Sequence, residues 1–177
     1  MLSKTGDSMA KNVLMVIAKN NFRDEELFHT KESLEAAGLK TTIASSEAGV
    51  CEGKLGGTVN AELSLAGVKV ADYSGVVFVG GSGAAQYFDD PNALILAKKF
   101  SNSKKITAAI CIAPSVLANA GLLTGKNATA FRSEQQNLEA KGATFTGEPV
   151  TVDGKIVTAN GPKAAKSFGK KIAELLK

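Results

Sequence analysis

The chain has 177 residues, 44% of them hydrophobic and 6% aromatic, which suits one compact domain with a sizeable core. Its 21 Lys and Arg are mixed among 17 Asp and Glu for a net charge of +4, with only Arg23 and Arg132 as arginines, so the excess reads as solubility and nucleic acid is excluded as a partner. No apolar run reaches the ~18 residues that span a bilayer, and no apolar stretch near the N-terminus resembles a secretory signal, so no membrane role is expected.

Residues 1–10 read as a short disordered leader, with Met9 as an alternative start, and 11–177 as the folded domain. Asn12–Ala18 (NVLMVIA) is a continuous apolar run, the pattern of a strand buried on both faces. A helix follows from Asp24 to about Ala37, closed by Gly38 in a C-cap role, and Thr41–Ala44 restarts a strand. This βαβ opening predicts a right-handed crossover and a parallel sheet. Ser45–Leu65 is Gly-rich and irregular, with Val59–Leu63 as a short strand or hairpin arm. Gly75–Val79 is a buried strand ending on Gly80-Gly81, and Asn92–Phe100 is helical. Ile106–Ile110 is a third buried strand that runs into Cys111. Pro114 suits the first turn of a helix ending near Gly121, because that position needs no amide hydrogen. Ser133–Lys141 is a polar amphipathic helix, Asp153-Gly154 joins Val150–Val152 to Ile156–Thr158 as a hairpin, and Gly161-Pro162 opens a C-terminal helix to about Leu176.

Two cysteines make no disulfide framework, and their contexts differ, which points to a reducing cytoplasmic compartment. With those two and the single histidine, His29, a structural metal site is not expected. Cys51, in the irregular region, reads as an exposed second thiol or as an incidental loop or edge-strand residue.

The motif with chemistry is Ala109-Ile110-Cys111-Ile112-Ala113-Pro114. A turn between a parallel strand and the next helix lifts a side chain above the sheet's carboxyl edge, where such folds bind ligands. The amides and positive potential of a helix start favour a thiolate, so the Cys111 pKa is expected to fall, and the same amides suit an oxyanion. On local pattern alone a small buried core cysteine fits as well. Gly80-Gly81, if it ends the neighbouring strand, brings further backbone amides to the thiol; taken alone it is an ordinary strand-to-helix turn.

Four landmarks in this order resemble the ThiJ/PfpI family of protein deglycases and PfpI-type intracellular peptidases: Asp24-Glu25-Glu26, Val79 to Gln86 (VGGSGAAQ), the AAICIAP turn, and Thr158 to Pro162 (TANGP). The resemblance runs from Asn12 to Lys177. It implies a flavodoxin-like three-layer α/β sandwich, with a mostly parallel central sheet, helices on both faces and a small hairpin, assembled as a homodimer or higher homo-oligomer. It implies that Cys111 is the nucleophile and that an acid of the first helix touches it, Glu26 by position and Glu25 as the fallback. Gly80, Gly81 and Ile112 become the backbone groups for an oxyanion, and no cofactor is implied.

The departures are as informative. Ile112 stands where the peptidases carry histidine, Phe131 where relatives of the deglycase carry one, and Ala85 where the peptidase type has a partner-subunit glutamate. His29, one turn along the helix from Glu25 and Glu26, is a further site candidate, although a solvated or interface position fits it better. A peptidase or amidase needs a base to take and return protons. The expectation is therefore a cytoplasmic stress-response protein whose Cys111 acts on small electrophiles, with glyoxalase- or deglycase-like hydrolysis of dicarbonyls. The alternatives are a redox sensor or chaperone that uses oxidation of Cys111, a PfpI-type peptidase, disfavoured by the missing histidine, and a catalytically inert small-molecule binder.

Overall fold

The apolar run at the start of the chain forms strand β1 (Asn12–Val16) at the centre of the computed structural model, which describes residues 11–177. The expected leader at 1–10 lies outside the described residues. Val13 and Met15 point to one side of the sheet, and Leu14 and Val16 to the other. Both sides are therefore covered. Strand β3 (Lys40–Ser45) pairs with β1 on one flank and β7 (Gly75–Phe78) on the other, both parallel. Strand β8 (Ile106–Ile110) lies parallel beside β7, and β12 (Ile156–Ala159) parallel beside β8. β11 (Val150–Asp153) closes that edge antiparallel, as the arm of the expected hairpin, and β6 (Leu63–Ser64) closes the other. The seven-stranded order is β11-β12-β8-β7-β1-β3-β6.

Helices α1 (Asp24–Ala36) and α5 (Ala165–Leu175) cover the face that carries Val13 and Met15, with Leu27, Leu34, Phe168 and Ile172 in the core. Helices α2 (Pro91–Asn102) and α3 (Pro114–Asn119) cover the other, with Phe100, Val116 and Leu117. α4 (Gln135–Ala140) follows a 3-10 turn at Arg132–Glu134 and contributes Leu138. The result is the three-layer, mostly parallel α/β sandwich that the resemblance implies. α2 begins one residue before the expected start because Asp90 caps it, its carboxylate accepting from the Ala93 amide at 3.3 Å, with Pro91 at the first position.

The stretch expected to be irregular is more ordered than its composition predicts. β4 (Gly49–Gly53) and β5 (Thr58–Ala61) form an antiparallel hairpin, and β2 (Asn20–Phe22) joins β4 to make a separate three-stranded sheet. Cys51 therefore sits on the middle strand, fully buried, with its thiol towards the Gly49 carbonyl at 3.7 Å. This corrects the reading of Cys51 as an exposed thiol or a loop or edge residue: its side chain faces the core that Phe22 also enters. A second small pair, β9 (Asn127–Ala128) with β10 (Thr144–Phe145), was not expected. Among the described residues no helix is long and apolar enough to cross a membrane.

Candidate active site

The strand β8 side chains are all buried, and the chain must leave the sheet edge and enter α3 within three residues. Cys111 absorbs the reversal with φ +65°, a left-handed conformation that costs a non-glycine residue of the order of 1–2 kcal/mol. Its peptide is held from both sides. The Cys111 amide donates to the Ala159 carbonyl at 2.9 Å, and the Cys111 carbonyl accepts from the Phe131 amide at 2.8 Å. The Ala113 amide donates back to Ile110 at 3.1 Å and closes the turn. A strained residue held by this many bonds keeps its side chain in one place.

Because β7 and β8 are neighbours in register, Phe78 opposite Ala109, the Gly80-Gly81 step lies beside Cys111. Gly80 is where three segments converge. A Cβ there would overlap the Glu26 carboxyl and come within 2.6 Å of Cys111 Cβ and 2.8 Å of the Ile110 carbonyl oxygen. The Gly80 carbonyl accepts from the Arg23 amide at 3.0 Å, which ties the start of α1 to the end of β7. Gly81 has φ +101° and packs against the Asn21–Arg23 backbone, so it too has no room for a side chain.

Helix phase separates the two acids that the sequence left as alternatives. Glu26 is fully buried and points at the Gly80–Cys111 junction. Glu25 turns outward and takes the Arg23 guanidinium at 2.7 Å, which holds its carboxyl below the usual range. His29 is half-buried further along α1, and its charge bears on Glu25. Neither Glu26 oxygen has a hydrogen-bond partner of good geometry among the described residues. The Cys111 thiol and the Gly80 amide are polar groups that reach towards it.

Burial raises the Glu26 pKa to about 7, against the pull of the thiol, Arg23 and the Gly80 amide. Burial also raises Cys111, together with the charge and close approach of Glu26, to about 12; the amides of Gly81 and Ile112 act in the opposite direction. The expectation that the helix start lowers the Cys111 pKa is thus overturned. The amides are present, but desolvation and an ionised Glu26 outweigh them. The Gly80 amide serves the carboxyl, while those of Gly81 and Ile112 face the sulfur.

A cleft of about 750 Å³ lies between the Ala130–Arg132 segment and Asn160–Lys163; Cys111 is not in its lining, but Phe131 and Ala159, which precedes Asn160, bond to the Cys111 backbone. Phe131 stands at its rim, 49% exposed. Sequence reasoning missed two participants here. Arg23 was visible only as the residue before an acidic triplet, and Arg132 only as one of two arginines. Among the described residues no group of three His, Cys, Asp or Glu side chains is placed to hold a metal.

A model of the DJ-1/PfpI family matches residues 11–175. An uncharacterised protein of Methanocaldococcus jannaschii is 40% identical over 167 residues, which span 93% of this chain and 82% of the relative. Deglycase PfpI of Pyrococcus furiosus is 28% identical over 93% of this chain and 99% of its own length. The crystal structure of a ThiJ/PfpI domain protein from Brachyspira murdochii superposes with a TM-score of 0.93 at 37% identity, covering 96% of this chain and 98% of that one.

Proposed function

This chain belongs to the DJ-1/PfpI family, and from that premise we propose that it is a cysteine-dependent enzyme acting on small dicarbonyls, with Cys111 as nucleophile and Glu26 as its proton partner. The observation that carries the reading is a fully buried carboxyl set against a partly buried cysteine at a strained turn. A carboxyl that stays protonated to about pH 7 is an acid at working pH. Above about pH 7 the pair holds one proton between carboxyl and thiol, and the sulfur is nucleophilic when the carboxyl takes it.

The thiolate adds to the aldehyde carbon of a dicarbonyl. A C–S bond forms, and the carbonyl electron pair moves to oxygen next to the sulfur that the Gly81 and Ile112 amides face; Glu26 supplies the proton. The hydrogen on that carbon then passes to the adjacent carbonyl carbon through an enediol, leaving a thioester. Water hydrolyses the thioester to a hydroxy acid and returns the thiol. Peptide cleavage is a poorer fit, because Ile112 and Phe131 supply no imidazole to protonate an amine leaving group.

Oxidation of the same thiol by peroxide is the second reading, favoured by the exposure of Cys111 while Cys51 is fully buried. One comparison decides between the two. The wild type is expected to convert methylglyoxal to lactate, and Cys111→Ser to lose at least about 10³-fold of that rate. Full activity in the variant rejects the nucleophile. A wild type that consumes no dicarbonyl but takes up oxygen at Cys111, by mass spectrometry after peroxide, moves the assignment to the second reading.

A further inference from the structure

We infer that the electrophile taken at Cys111 carries an anionic oxygen group, a carboxylate or a phosphate, which Arg132 and Lys163 hold in the cleft between their segments; the inference rests on the reading of Cys111 given above. Among the described residues eleven line the cleft, and the charged ones of these are Arg132 and Lys163. Both are exposed, and neither is in an ion pair among the described residues. A cleft that, among the described residues, carries two cations and no anion concentrates anions. The Arg132 fork matches the oxygens of a carboxylate or phosphate, and Lys163 adds a point charge. Asn160 and Gln135 offer neutral polar groups, and Phe131 and Phe145 offer apolar wall. That mixture suits a small charged metabolite.

Cys111 does not itself line the cleft, but two of the cleft's segments are bonded to the Cys111 backbone. Arg132 follows Phe131, whose amide donates to the Cys111 carbonyl, and Asn160 follows Ala159, whose carbonyl accepts the Cys111 amide. Lys163 lies in the next 3-10 turn, Pro162–Ala164. The two segments that carry the cations are therefore the two that grip Cys111.

Iodoacetate and iodoacetamide test this, being nearly the same size and differing in charge. Each alkylates a thiolate by forming C–S and releasing iodide. The measurement is the rate at Cys111 by mass spectrometry, expressed as the iodoacetate-to-iodoacetamide ratio relative to glutathione. The wild-type ratio is expected to exceed that of glutathione about tenfold, and Arg132→Gln with Lys163→Gln to remove most of the excess while the iodoacetamide rate changes less than about twofold. At constant ionic strength, inorganic phosphate or acetate slows the iodoacetate reaction, and the stronger competitor identifies which oxyanion fits. A ratio that the double substitution leaves unchanged, or no competition by either anion, overturns the anion site and leaves the nucleophile standing. Failure of both reagents to alkylate Cys111 overturns the nucleophile and the anion site with it.

Discussion

Glu26 is fully buried against the partly buried Cys111, so each anion raises the cost of the other. The consequence for stability has a definite sign. An unfolded glutamate titrates near 4.5, and burial holds Glu26 up to about 7, so the native state binds the proton more tightly. The stabilisation this gives is complete below 4.5 and is lost as pH rises through about 7. Glu26→Gln keeps the shape and removes the ionisation. In urea unfolding the wild type is expected to lose about 3 kcal/mol between about pH 4.5 and about pH 8 that the variant retains. Parallel pH profiles for the two proteins would mean that Glu26 keeps an ordinary pKa. At this scale Cys111 was legible from its motif. The choice of Glu26 over Glu25 came from the resemblance, and helix phase accounts for it: Glu26 shares the inward face with Leu27, Thr30 and Leu34. The direction of the thiol's shift was not legible, because it depends on desolvation by residues far apart in the chain.

Helix α1 is the element that delivers Glu26, and its first residue anchors more than the helix. The buried Asp24 carboxylate accepts from the amides of Leu55 at 2.8 Å and Gly57 at 2.7 Å. It fills the space where side chains at positions 53 and 57 would stand. The turn between β4 and β5 is therefore pinned to the start of α1. Asp24→Ala leaves two amides unpaired and is expected to cost about 2–4 kcal/mol by urea unfolding, with faster amide exchange at Leu55 and Gly57 than elsewhere in the hairpin. Uniform exchange in the variant would show that Asp24 does not hold the turn. The sequence placed Asp24 at the helix start, where an acid is ordinary. Its partners lie some thirty residues on, in a stretch without clear periodicity. For the same reason β2, β4, β9 and β10 went unseen: their strands are short, and their partners are set by tertiary packing rather than by their own alternation.

Across the whole molecule, α5 sits far along the chain from Cys111 yet backs the helix that carries Glu26. Gly169 lets the two helices approach closely. A Cβ there would lie 2.8 Å from the Thr30 carbonyl oxygen and 2.7 Å from Ser33 Cβ. The contact is reinforced by the Thr30 hydroxyl donating to the Ala165 carbonyl at 3.4 Å and the Ser33 hydroxyl to Lys166 at 3.2 Å. Gly169→Ala is expected to destabilise the fold by about 1–3 kcal/mol and to change the pH dependence of Cys111 alkylation by moving α1 against the sheet. A variant that loses stability while keeping the wild-type alkylation profile would show that α5 supports the fold without setting the site.

The sequence by itself determined the fold class, the buried strands of the parallel core and the turn that carries Cys111, because each is written in local signals: continuous apolar runs, a glycine pair at a strand end, a proline at a helix start. The tertiary structure decided the rest. It brought Glu26 and Gly80 against Cys111, turned Glu25 outward to Arg23, buried Cys51, and set Arg132 and Lys163 in one cleft. Burial and charge proximity are properties of residues that meet only when strands β7, β8 and β12 align in the sheet, so no single segment could reveal the raised pKa values or the anion-binding wall.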